Sequence, residues 1–166
     1  MSEAAGVLVI GFGNPGRLDD GLGPAAAAAI ERLGLPGVAV DADYQLNVED
    51  AERASRYPLV LFLDADATGP EPFGVQRVRP QRDVSFSTHS VQPAEVMGLA
   101  TDLFAAATQA YVVGIRGYAF DGFGEDLTAA ARGNLNAAVD FVTELLRPGD
   151  IDAMMAQLDT RAGASR

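Results

Sequence analysis

The chain has 166 residues, 48% of them apolar and 21% charged, with a formal net charge of −11; that is enough for one globular domain with a real core, and it does not suit a disordered chain. It contains no Cys and a single His, and all twelve basic residues are Arg. These absences exclude disulfides, thiolate metal sites, cysteine nucleophiles, Schiff-base lysines and a multi-histidine zinc site, and the acidic balance opposes nucleic-acid binding. No stretch approaches the roughly 18 apolar residues of a membrane span. The start, MSEAAGVLVIGFG, lacks the basic n-region of a signal peptide, so a cytoplasmic protein with no membrane partner is expected.

Gly6–Ile10 (GVLVI) is a continuous apolar run that stops at Gly11 and Gly13, the pattern of a buried parallel strand. Asp19 or Asp20 can cap a helix through the alanine-rich stretch to about Leu33, ended by Gly34 and Pro36. Val38–Asp41 reads as a second strand, and Asn47–Tyr57 as a helix capped by Asn47, with Glu49, Asp50 and Glu52 where the helix dipole favours them. Leu59–Leu63 (LVLFL) is the strongest strand and closes on Asp64. Phe73–Val78 follows a turn rich in Gly and Pro, and the segment from Pro70 reads as a hairpin or edge element. A polar loop, Arg79–Ser90, carries His89, and Pro93 suits the first turn of a helix running to about Thr108. Ala110–Ile115 is a further strand and Leu127–Leu146 a long amphipathic helix; one short helix is expected after Pro148.

Alternating strands and helices predict an α/β fold: a single-domain three-layer αβα sandwich whose twisted sheet of about five strands is mostly parallel, with helices on both faces and room for one antiparallel edge strand. The domain is expected to span residues 1–160, with 161–166 a frayed tail. In such sheets ligands bind beyond the carboxyl ends of the strands. Three groups fall there: Asp19-Asp20 after the first strand, Asp64 at the end of LVLFL, and His89 before the Pro93 helix. Two carboxylates and one imidazole form a three-ligand set with an open position, the composition of an exchangeable or catalytic metal site. Oxygen and nitrogen donors suit Zn²⁺, Ni²⁺, Mn²⁺ or Fe²⁺. One aspartate of the first pair can cap the helix while its neighbour points into the cleft. An unpaired charge at a buried strand end such as Asp64 is costly, which favours a functional role. Arg77, Arg79 and Arg82, near His89, read as a solvated face before they read as a grip on acidic substrate.

A rival reading starts from the glycines. Gly11-Phe12-Gly13-Asn14-Pro15-Gly16 fits G-x-G-x-x-G after a strand, with Asp41 or Asp43 placed as a ribose-binding acid. This would make the protein a non-hydrolytic nucleotide-binding (NAD-type) or metal-binding α/β protein. Against it, two aspartates would crowd the helix end that must hold a pyrophosphate. The same G-x-G-N-P-G start is similar to that of peptidyl-tRNA hydrolases, but Arg17-Leu18-Asp19-Asp20 stands where their catalytic histidine follows. No G-x-S-x-G nucleophile elbow is present.

Three stretches together resemble the [NiFe]-hydrogenase maturation proteases. The first is Gly11-Phe12-Gly13-Asn14 continuing to Asp19-Asp20-Gly21-Leu22-Gly23; the second is Asp64-Ala65 at a strand end; the third is Ser87-Thr88-His89-Ser90 ahead of Pro93. Order and spacing agree from Gly6 to about Leu146. The resemblance implies an endopeptidase, aspartic or metal-dependent in type, that removes a C-terminal extension from the hydrogenase large-subunit precursor after nickel insertion. It further implies that Asp20, Asp64 and His89 contact nickel brought by that precursor, with zinc or cadmium as surrogate ions. A monomer is expected.

Overall fold

Two buried apolar runs form the centre of one sheet. The computed structural model describes residues 6–81 and 91–164. Within them, β1 (Val7–Phe12), β2 (Val38–Asp43), β3 (Leu59–Asp66), β4 (Phe73–Arg77) and β5 (Gln109–Arg116) hydrogen-bond in the order β2-β1-β3-β5-β4. β1 pairs in parallel with β2 and β3, and β3 in parallel with β5, while β4 lies antiparallel at the edge. Residues pointing to opposite faces alternate along each strand. Val7, Val9, Leu59, Leu61 and Leu63 pack under α1 (Leu22–Arg32), α4 (Ala129–Leu146) and α5 (Ile151–Ala164). Leu8, Ile10, Val60 and Phe62 pack under α2 (Glu49–Ala54) and α3 (Pro93–Phe104). Coverage on both faces explains why β1 and β3 read as unbroken apolar runs rather than as alternation. The expected three-layer αβα sandwich with one antiparallel edge strand is therefore present.

The topology also places the crevice. The chain leaves β1 for β2 on one side and then crosses to β3 on the other, so the order reverses between β1 and β3. Ligand crevices in open α/β sheets form at that switch point, beyond the carboxyl ends of the strands.

Several boundaries differ from expectation for local reasons. β3 continues past its apolar run to Asp66 because its ladder with β5 continues, Asp64 opposite Gly114 and Asp66 opposite Arg116. A 3-10 turn, Leu18–Gly21, precedes α1. α2 is shorter than predicted; Asn47 Oδ1 accepts the Glu49 N–H at 3.1 Å, and the Asp50 carboxylate accepts the Asn47 N–H at 2.9 Å. Glu95 accepts the Gln92 N–H at 2.9 Å at the head of α3, where Pro93 opens the helix.

The tail expected to fray from Arg161 is instead helical to Ala164. Met154 and Leu158 are buried under the sheet, and the Arg161 guanidinium lies over the rings of Phe73 and Phe141 at 4.7 and 4.6 Å, contacts that tie the last turns down. Asp159 accepts the Tyr111 hydroxyl at 2.5 Å and pairs with Arg77 at 3.5 Å. Among the described residues no helix is long and apolar enough to cross a membrane.

Tyr111 is buried, and burial together with the Asp159 bond pushes its pKa up to about 12. Tyr111→Phe removes this anchor of α5 and is expected to lower unfolding stability by about 1–2 kcal/mol. Urea unfolding with an unchanged m-value is the check.

Candidate functional site

The segment after β1 is a tightly self-bonded loop. Gly13 adopts φ +140°, and a Cβ on it would fall 2.2 Å from the Asp20 carbonyl oxygen. Its N–H donates to Asp43 O at 3.1 Å, the Asn14 N–H to Asp20 Oδ2 at 2.8 Å, and the Gly16 N–H to Asn14 Oδ1 at 2.8 Å. The loop then enters the 3-10 turn and α1. Gly23 lets the helix press onto the sheet, because a Cβ there would lie 2.4 Å from both Leu63 O and Phe12 O. That close approach sets the turn carrying Asp20 against the end of β3, where Asp64 sits.

The same bonds decide against a pyrophosphate cradle. The amides of Gly13, Asn14 and Gly16 already have partners, and Pro24 in the first turn of α1 has no N–H to offer. Asp41 pairs with Arg53 at 2.7 Å, and the Asp43 carboxylate accepts the Tyr44 N–H at 2.8 Å. The glycine spacing serves close packing here.

Asp64 is half-buried, and one carboxylate oxygen accepts the Ala65 N–H at 2.8 Å. Burial pushes its pKa up to about 7; the Ala65 hydrogen bond opposes the shift, and the nearby charges of Asp20 and Asp66 add to it. Asp66 is committed to a turn, accepting the N–H groups of Thr68 at 3.0 Å and Gly69 at 2.9 Å. Beside Asp64 opens a cleft of about 590 Å³, lined by Asp66, Arg79, Gln92, Val112 and Gly114 among others. Arg77 also borders it but is tied to Gln109 and Asp159. A carboxyl group that titrates near neutrality is suited to proton transfer at physiological pH. Deprotonated, the Asp20–Asp64 pair offers oxygen donors to a divalent cation.

Of the three expected residues, Asp20 lies near enough to Asp64 for its charge to raise the Asp64 pKa. His89 lies outside the described residues, as do Ser87, Thr88, Ser90 and Arg82. Among the described residues, no group of three or more His, Cys, Asp or Glu side chains is arranged to hold a metal ion.

Sequence reasoning left Asp19 and Asp20 interchangeable, and the structure separates them. Asp19 is fully buried at 0% exposure. Its carboxylate accepts from Tyr118 N at 2.8 Å, Ala119 N at 3.1 Å, Thr128 N at 2.8 Å and Thr128 Oγ1 at 2.9 Å. Burial alone would raise its pKa, but these donors hold it below the usual carboxylate value. The preceding Leu18 sits at φ +54°, a left-handed conformation costing a non-glycine residue about 1–2 kcal/mol. No local signal marks this anchor, because its partners lie 99 to 109 residues downstream.

The raised pKa of Asp64 fixes the sign of a stability effect. Between about pH 4 and pH 7 the native state keeps a proton that the unfolded chain has released, so stability falls as pH rises through that window, by at most about 1.4 kcal/mol per unit. Asp64→Asn is expected to flatten this dependence and to stabilise the protein at pH 8 by about 1–3 kcal/mol. Urea unfolding at pH 5 and pH 8 checks it; a variant that keeps the wild-type slope contradicts it.

No protein-family model matches the chain, and no curated protein does. Solved structures do. The fold is similar to that of the [NiFe] hydrogenase maturation protease HycI from Thermococcus kodakarensis, with a TM-score of 0.66 and 19% identity over 86% of this chain and 93% of that one. The hydrogenase 2 maturation peptidase from a Thaumarchaeota archaeon gives 0.63 and 24%, over 85% and 97%. The hydrogenase maturating endopeptidase HybD from E. coli gives 0.63 and 19%, over 86% and 93%. At these identities the shared property is the architecture: this chain has the fold of the hydrogenase maturation proteases.

Proposed function

We propose that the protein is a hydrogenase maturation endopeptidase that removes the C-terminal extension of a [NiFe]-hydrogenase large-subunit precursor after nickel insertion. The observation that carries this reading is Asp64 at the switch point of the sheet, raised to about 7 by burial and by the nearby charges of Asp20 and Asp66. Supporting it, two of the three sequence blocks shared with that family, Gly11 to Gly23 and Asp64-Ala65, fall at this point, and the fold likeness agrees. The third block supplies His89 as the remaining nickel contact.

The pair's chemistry accounts for a nickel checkpoint. At neutral pH the raised pKa leaves Asp64 partly protonated, and a precursor without the ion brings no cation to displace that proton. Nickel in the loaded precursor displaces the proton, because metal ligation requires the deprotonated donor. Binding energy thereby becomes conditional on the cargo. With the precursor seated, a carboxylate can take a proton from the attacking water and return it to the leaving amine. No nucleophilic side chain is required, in keeping with a chain that has neither Cys nor Lys. On the isolated protein, zinc or cadmium serves as a stand-in for nickel.

The test is incubation of the protein with nickel-loaded large-subunit precursor, followed by mass spectrometry. Release of a C-terminal segment from the loaded precursor, with the nickel-free form left intact, is expected. A loaded precursor that stays uncut in the presence of folded wild-type protein overturns the reading. Asp20→Asn, Asp64→Asn and His89→Ala are each expected to lower kcat/KM by about 100-fold or more while the circular dichroism spectrum is unchanged. Wild-type processing by Asp64→Asn rejects the site.

A further inference from the structure

The adjacent aspartates ahead of α1 face in opposite directions. Asp20 bonds back to its own loop through Asn14, beside Asp64. Asp19 reaches the far side, into the connection between β5 and α4, and is sealed from solvent. We propose that Asp19 is a positioning residue: its carboxylate bolts the 3-10 turn to the β5–α4 connection and so fixes Asp20 beside Asp64. Its consequence for turnover rests on the protease reading above; its geometry does not.

The turn is held from this side at several points besides the carboxylate. The Asp19 N–H donates to Ala119 O at 2.9 Å, the Leu18 N–H to Gly124 O at 2.8 Å, and the Gly124 N–H to Gly16 O at 2.8 Å. Arg17 lies 5.9 Å from the ring centre of Phe123, the most exposed large apolar side chain among the described residues at 89%. Leu18 is kept in the left-handed region between these ties. Asp20 follows immediately, on a turn closed by its own N–H to Arg17 O at 3.2 Å. With the Asp19 bonds released, Leu18 can relax, the turn rotates, and the Asp20 carboxylate leaves the Asn14 N–H. Because Asp19 is fully enclosed, it acts on the reaction only through its neighbour.

Asparagine cannot replace it. One oxygen of Asp19 accepts three donors and the other accepts one, so either orientation of an amide turns its NH₂ toward a backbone N–H. Thr128 gives a second handle: Thr128→Val removes the hydroxyl donor together with its cap on the Ala131 N–H at the head of α4, and Thr128→Ser keeps both.

The experiment combines amide hydrogen exchange with cleavage kinetics for wild type, Asp19→Asn, Thr128→Val and Thr128→Ser, using nickel-loaded precursor as substrate. Exchange at the Asn14 amide reports whether Asp20 is still in place, and the Val9 and Leu61 amides report global stability. Expected for Asp19→Asn and Thr128→Val is a loss of protection at Asn14 about tenfold beyond that at Val9 and Leu61. With it, kcat falls by about 10- to 100-fold, as a displaced catalytic group would give, and KM stays within about twofold. Thr128→Ser is expected to restore wild-type behaviour. If Asp19→Asn fails to fold, the two Thr128 variants decide. Loss of protection shared equally by Asn14 and the core amides overturns the proposal, and so does selective loss at Asn14 with unchanged kcat. If wild-type protein leaves the loaded precursor uncut, the protease reading fails, and exchange at Asn14 alone still decides the role of Asp19.

Discussion

Asp64 stands where β3 runs out of the core, and the withdrawal of water there lifts its carboxyl to a pKa of about 7. The nearby charges of Asp20 and Asp66 act in the same direction, against a single opposing hydrogen bond from Ala65. A fold optimised for stability alone would not gather carboxylates at one desolvated strand end. The arrangement persists because the strand beneath it is over-determined: Leu59–Leu63 is buried on both faces, and β1 and β5 pair on either side. Stability is given up at the site and recovered in the layers around it, a common relation between function and folding.

The glycine-rich block explains how Asp20 is brought to that place. Gly23 lets α1 rest on the ends of β1 and β3, and the loop before it satisfies its own amides. The pattern G-x-G-x-x-G thus describes two physical devices that spacing cannot tell apart. In one, free amides point at a phosphate; in the other, the amides are closed and the glycines permit packing. Where each N–H goes is the deciding observation, and here Asp43, Asp20 and Asn14 take those of Gly13, Asn14 and Gly16.

Much of the fold was legible because its causes are local. GVLVI and LVLFL are strands by composition, Pro93 marks a helix start, and Asp64 directly follows the apolar run of β3. The expectation that Asp20 and Asp64 converge on one edge of the sheet came from the alternation of strands and helices through the switch-point rule. What escaped the sequence depends on distant partners. The different fates of Asp19 and Asp20 are set by Tyr118, Ala119 and Thr128, and the full length of α5 by Arg161 over Phe73 and Phe141. His89, which the family resemblance marks as a nickel contact, lies outside the described residues.

The central claim is that Asp20 and Asp64 act together on a divalent cation presented at the carboxyl edge of the sheet. Anomalous diffraction at the nickel edge, from crystals of the wild-type protein soaked in Ni²⁺, tests it directly. The account expects one peak shared by the two carboxylates on the side facing the cleft, and its loss in crystals of Asp64→Asn. A peak held instead by Asp41 or Asp43 of β2 or by Asp50 of α2, or no density between Asp20 and Asp64, contradicts it.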